Sequence, residues 1–219
     1  VDSSFDPEAW AADDQPIYYI IMTEMERARL EDIVKNHSDD QEGPNSQMNG
    51  TFISVDGVDM KVRYTVGVRN RGHGTRNDWP NNYHVNFVHG RPWNDVTAIN
   101  LNAVYTYLQA AGSAVFRLSG LAQSEAAAVQ VRTNGQNLAV PGQQMYSSYV
   151  HVEAVDNDFA ANHFPDDDEG NAYKAMRVTH QAALRYEGPD PGPYRQNYFK
   201  ETNASADDWS DLIELCYVL

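Results

Sequence analysis

The chain has a single cysteine, Cys216, among 219 residues. An intramolecular disulfide needs two and a thiolate metal cluster needs more, so both are excluded. Positive charge is also scarce: 16 Lys and Arg stand against 31 Asp and Glu, a formal net charge of −15. Nucleic acid and anionic lipid reward clustered Lys and Arg, so neither is expected as the main partner. No apolar run approaches the roughly 18 to 20 residues of a membrane span. The N-terminal VDSSFDPEAWAADDQ is acidic, unlike the basic start of a signal segment. The seven His residues form neither H-x-x-x-H nor H-E-x-x-H, and no G-x-S-x-G occurs, which leaves His-zinc and serine-hydrolase chemistry without support. Aromatic residues are plentiful, with 13 Tyr and 4 Trp, and a chain of this length and composition can bury a core.

Residues 1–15 read as a polar arm and 16–219 as one domain. PIYYIIM (16–22) predicts a buried strand running into a helix, because Thr23 and Glu26 have capping-box spacing and Leu30, Ile33 and Val34 continue an apolar stripe. Residues 36–50 are a loop by composition. Asp56-Gly57 signals a hairpin between TFISV and a strand starting at Val58. YHVNF (83–87) and TAINL (97–101) read as further strands. The clearest helix runs from Asn102 to Leu118, with Val104, Leu108, Ala111, Val115 and Leu118 as its apolar side and Gly120 at its stop. There follow a hairpin around Asn134-Gly135, an alternating strand at 146–155, a short helix capped by Asp156, an acidic turn at 165–171 and a strand in AYKAMRV. Residues 186–206 are loop-rich, and the last helix gathers Trp209, Leu212, Ile213 and Cys216 on one face. The pattern predicts an α+β domain, an antiparallel sheet with packed helices. It ends without a stop signal and reads as incomplete.

KVRYTVGVRNRGHGTR (61–76) concentrates five of the sixteen basic residues. Period-two alternation puts Lys61, Arg63, Arg69 and Arg71 on one face and Met60, Val62, Tyr64, Val66 and Val68 on the other. Gly72 and Gly74 permit positive φ and close backbone approach, His73 sits between them, and Arg76 follows. A local cationic surface in an acidic chain suits a compact polyanion, since a long one meets repulsion within a Debye length of about 8 Å. The Arg fork matches phosphate. The plain alternative is an ordinary half-exposed strand.

In order along the chain, VGVRNRGHGTRNDWPNNYHVNF, RPWNDVTAINLN, GSAVFRLSGL, YVHVEAVDNDF and GNAYKAMR resemble the CotH kinase family, the spore-coat-type atypical protein kinases. The likeness covers about residues 50 to 219. It implies a distantly protein-kinase-like fold, ATP with Mg²⁺ or Mn²⁺ as cofactors, and phosphorylation of Ser or Thr on secreted or cell-surface proteins. By position it assigns Arg69, Arg71 and Gly72 to the nucleotide, Glu153 and Asp156 to the adenine or substrate edge, and Lys174 to the family's strand lysine; Gly74 belongs to the same glycine loop. Asn81-Asn82 stands where many members carry a lysine pair. The family's aspartate motifs for metal and hydroxyl lie downstream of the matched region, so this chain is expected to supply the nucleotide-binding part and to be inactive alone. The acidic cluster Asp207, Asp208 and Asp211 reads as helix-dipole complement.

Two alternatives stay open. Asp166, Asp168 and Gly170 are loosely spaced like a calcium loop, without the distal Glu of an EF-hand, against the reading of an ordinary acidic turn. The whole domain, in place of an enzyme, reads as a structural or adhesive module of an extracellular assembly that has lost transfer chemistry.

Overall fold

The computed structural model describes residues 15–36, 45–72, 80–139, 148–176 and 182–219. Their contacts divide the chain into two compact units, the first up to Ala154 and the second Val155–Leu219.

The first unit is a closed barrel of seven strands: β1 (Ile17–Ile21), β2 (Met48–Val55), β3 (Met60–Asn70), β4 (Tyr83–Asn86), β5 (Ala98–Asn102), β6 (Ala126–Thr133) and β7 (Tyr149–Glu153). They run in the order β1-β2-β3-β4-β5-β7-β6, and β6 closes the ring by pairing in parallel with β1, Ile17 opposite Gln130. All other pairings are antiparallel. The expected antiparallel sheet with packed helices, distantly kinase-like, is therefore corrected to a closed mixed barrel with few, short helices. Alternation reveals which residues face inward but not which strands are partners, and the closing pair joins segments more than a hundred positions apart. Closure removes the unpaired strand edges that an open sheet must shield.

Side chains fill the interior. Tyr18, Ile20, Phe52, Val68, Val85, Leu101 and Val129 are buried to 2% exposure or less. At one end Trp93 packs edge-on against Tyr18 and Phe52, at 5.4 and 5.5 Å between ring centroids, and its indole N–H donates to Ser54 Oγ at 2.8 Å. At the other end lies α1 (Glu24–Asn36), whose Leu30 joins the same core. The capping box that starts it is present as read: Thr23 N–H donates to Glu26 Oε2 and Glu26 N–H to Thr23 Oγ1, both at 3.2 Å.

The helix α2 (Thr106–Leu118) packs on the outside of β6 and β7 with the opposite face to the one expected. Thr106 and Ser113 are its buried residues, while Leu108, Val115 and Leu118 are 52%, 61% and 86% exposed. Small and polar residues let the helix sit close to the alanine-bearing strand β6, which overrides the amphipathic pattern. Gly120, at φ 72°, ends the helix as expected.

The second unit contains α3 (Asn157–His163), a two-stranded sheet of β8 (Tyr173–Ala175) with β9 (Tyr198–Lys200), α4 (Gly192–Asn197) and α5 (Ser210–Val218). Asp156 caps α3, its Oδ1 accepting from the N–H groups of Asp158 and Phe159. Tyr194, Tyr198, Trp209, Leu212 and Cys216 form the core, so the apolar face read for the last helix holds, whereas α4 and β9 replace part of the loop expected over 186–206. Among the described residues, no helix is long and apolar enough to cross a membrane.

Candidate functional site

The basic strand does not keep one face. β2 and β3 change register between Gly50 and Phe52, so that Gly50 opposes Val66 while Phe52 opposes Arg63, and the residues between them on β3, Tyr64 and Thr65, share one partner position. Thr65 has φ 61°. This bulge inserts one residue into the alternation and reverses the phase after it. Lys61 and Arg63 therefore share the inward side with Ser54 and Phe52, at the barrel end. Lys61 Nζ donates to Asn94 Oδ1 at 2.5 Å and Arg63 Nε to the Pro92 carbonyl at 2.8 Å. Arg69 and Arg71 lie beyond the bulge and face outward, while Val66, Val68 and Asn70 are buried. The expected single cationic face is thus two separate pairs.

Around the outward pair the barrel wall is rich in amides. Arg69 is opposite His84, and His84 is opposite Asn100. His84 Nδ1 lies 2.7 Å from Asn100 Oδ1 and its Nε2 3.0 Å from Asn86 Oδ1. Arg71 donates from Nη1 to Asn102 Oδ1, and the Asn102 amide donates onward to Gln109 Oε1 of α2 at 2.5 Å. Gly72 follows at φ 106°, in the region that favours glycine. Burial first and the Arg69 guanidinium second push the His84 imidazole down to about 4, against the opposing hydrogen bonds from the two amides. A neutral ring donates one N–H and so satisfies only one of two amide oxygens.

Among the described residues of the seven barrel strands, Glu153 is the only Asp or Glu, though the whole chain carries 31. Glu153 pairs with Ile99 and alternates with the fully buried His151, which places it on the inner side of the wall. It is 4% exposed, and its Oε2 accepts from the backbone N–H of Glu125 at 3.2 Å. The structure therefore does not bring Glu153 to Arg69 and Arg71, and it anchors the entry to β6 instead. Lys174 lies in β8 of the second unit, 62% exposed and 3.6 Å from Glu201. Gly74, His73 and Arg76 lie outside the described residues.

Asn81 and Asn82 are 1% and 4% exposed. Asn82 Oδ1 accepts from the Ala103 N–H at 2.7 Å and its carbonyl from the Arg71 N–H at 3.0 Å. Asn81 donates to Asn70 Oδ1, whose own amide donates to the Leu30 carbonyl under α1 at 2.9 Å. These amides hold the barrel end together, and a lysine at either position would bury its ammonium group.

The acidic clusters have structural partners. Asp207 pairs with Arg195 at 2.6 Å and accepts from the Trp209 indole N–H at 2.8 Å, while Asp208 Oδ1 accepts from the Ser210 N–H at the head of α5. Asp211 accepts from the Tyr173 hydroxyl at 2.5 Å, and burial together with this carboxylate raises the phenol above its ordinary range. Asp166 and Asp168 sit on an exposed turn. Among the described residues no group of three or more His, Cys, Asp or Glu side chains is placed to hold a metal ion. The described residues therefore offer no ready set of ligands for Mg²⁺, Mn²⁺ or Ca²⁺, and no chemical step is routed through one.

Sequence reasoning found the two arginines but missed His84, Asn86, Asn100 and Asn102. The signal was there: His84 and Asn86 in YHVNF, and Asn100 and Asn102 in TAINLN, each fall two apart in one phase of the alternation, and pairing the strands puts them beside Arg69 and Arg71. Comparison with protein-family models and with curated proteins finds no match to this chain.

Proposed function

We propose that the outer face of β3, β4 and β5 binds the phosphate groups of a nucleotide. We further propose that the chain supplies this step to an ATP-dependent phosphorylation of Ser or Thr on secreted or surface proteins, the activity implied by its resemblance to CotH kinases. One observation carries the reading. In a chain of net charge −15, Arg69 and Arg71 stand together with His84, Asn86, Asn100 and Asn102 on three strands that contain no carboxylate. A guanidinium has five N–H donors and forms charge-assisted bonds to phosphate, and amide NH₂ groups add neutral donors. The bond from Arg71 to Asn102 fixes the plane of its fork. The surrounding negative field disfavours a long polyanion and leaves a compact one, such as a triphosphate.

Titration of the protein with ATP, and with tripolyphosphate alone, tests this by thermal shift. A ligand that binds the native state raises the melting temperature. Each of Arg69→Ala and Arg71→Ala should weaken binding by roughly ten-fold or more, as expected for a lost charge-assisted bond of about 1.5 to 3 kcal/mol. No shift with either anion, or the same shift in the double variant, refutes the proposal.

A second reading, a structural or adhesive module in an extracellular assembly, is favoured by the exposed apolar side of α2. Binding of triphosphate without any phosphate transfer to protein, in the full product of the reading frame, would select it.

A further inference from the structure

We infer that the outward side of α2 is the interface through which two copies of this chain associate. Tyr107, Leu108, Val115, Phe116, Leu118 and Leu121 are each more than half exposed, from 51% for Tyr107 to 86% for Leu118. If such side chains span about 150 to 200 Å² each, the six present on the order of 600 Å² of apolar surface. That total is at the upper end of the largest apolar patch an ordinary monomer exposes, and a standard interface takes about 800 Å² per partner, so these side chains with a modest rim approach one.

Charge argues for a second copy as the occupant. A two-fold interface places the same patch on both sides, so any excess of one charge in it repels itself. The chain as a whole is strongly negative, yet α2 has no Asp or Glu and only one basic residue, Arg117, which turns aside to Glu125 at 3.4 Å. The outward half of the helix carries no charge at all. Two copies can meet there without bringing carboxylates together. Leu108, Ala111, Val115 and Leu118 follow the three-four-three spacing of paired helices, and Ala111 with Gly112 leaves room for close backbone approach. The inward half supplies the remaining reason: Thr106 and Ser113 are spent on the barrel wall, so the apolar stripe has nothing to cover within the helix's own packing.

Sedimentation velocity of the whole chain across micromolar concentrations tests the inference. A species of twice 24.6 kDa should grow with concentration and, because salt screens the mutual repulsion of two net-negative copies, should grow further as salt is raised. Val115→Glu should weaken association at least about ten-fold. Val58→Glu, a change at an 89% exposed site on the β2–β3 turn, should leave it intact. If Val115→Glu fails to fold, Leu118→Cys in a Cys216→Ala background keeps the test open, since a short bis-maleimide should join two copies at that position. A chain that stays monomeric throughout, or a dimer indifferent to Val115→Glu, would each overturn the inference.

Discussion

At the scale of single residues, the buried amides under α1 matter most. Asn82 satisfies the Ala103 N–H, and Asn70 connects Asn81 to the Leu30 carbonyl. Removing one partner of a buried hydrogen bond leaves the other desolvated and unpaired, at about 1 to 3 kcal/mol. Asn82→Ala and Asn70→Leu should each lower unfolding stability by about that amount, read by urea titration. Asn82→Lys should cost more, because an ammonium would replace a 4% exposed amide, with no carboxylate among the contacts described there. If Asn82→Lys is neutral, the site opens toward solvent and the pair is not structural. Alternation made Arg69 and Arg71 legible as surface residues. It gave no sign that Glu153 is inside, because a carboxylate at the end of a strand reads as exposed.

At the scale of elements, one inserted residue decides where the positive charge goes. Thr65 sits at φ 61°, a region that a β-branched residue enters only with strain, whereas glycine enters it freely. Thr65→Gly should therefore stabilise the barrel by about 1 kcal/mol, or about 2 to 4 °C in melting temperature for a domain of this size. A fall in melting temperature would show that the Thr side chain makes a contact worth more than the strain. Deleting Thr65 restores strict alternation along β3. It would turn either Arg69 and Arg71 inward or Lys61 and Arg63 outward, and in either case the chain should fail to fold, read as loss of near-UV dichroism. The helix α2 teaches the same lesson from the opposite direction. Its sequence period is right and its boundaries are nearly right, yet the face it buries is the polar one. Period reports that one side is apolar; what that side meets depends on the surface opposite.

At the scale of the whole molecule, one buried and one half-buried imidazole set the response to acid. His84 is pushed down to about 4 by burial and then by Arg69, and His151 to about 3 by burial, its Nδ1 3.2 Å from the Tyr18 hydroxyl. In the unfolded chain both titrate near 6.5. Below about pH 6.5 the unfolded state takes up protons that the native state refuses until about pH 4 or lower. The stability these groups contribute is therefore complete above pH 6.5 and is lost as pH falls, with a slope approaching about 2.7 kcal/mol per pH unit for the two together. Urea unfolding between pH 7 and pH 5 checks this, and His151→Leu should reduce the slope by about half. A flat profile would mean that the native state accepts these protons.

The amino-acid sequence alone determined the local features: the capping box at Thr23 and Glu26, the turns at Gly57 and Gly120, the strand segments, and the shortage of acid within them. Each is settled by forces among residues a few positions apart, which leave a mark in spacing. Tertiary structure decided the rest: the parallel closure of β6 onto β1, the bulge that divides the basic strand, the burial of Asn81, Asn82 and Glu153, and the outward turn of the apolar side of α2. Those outcomes depend on which surfaces far apart in the chain come to face one another, and the burial that rewards such a pairing exists only once both surfaces are in place.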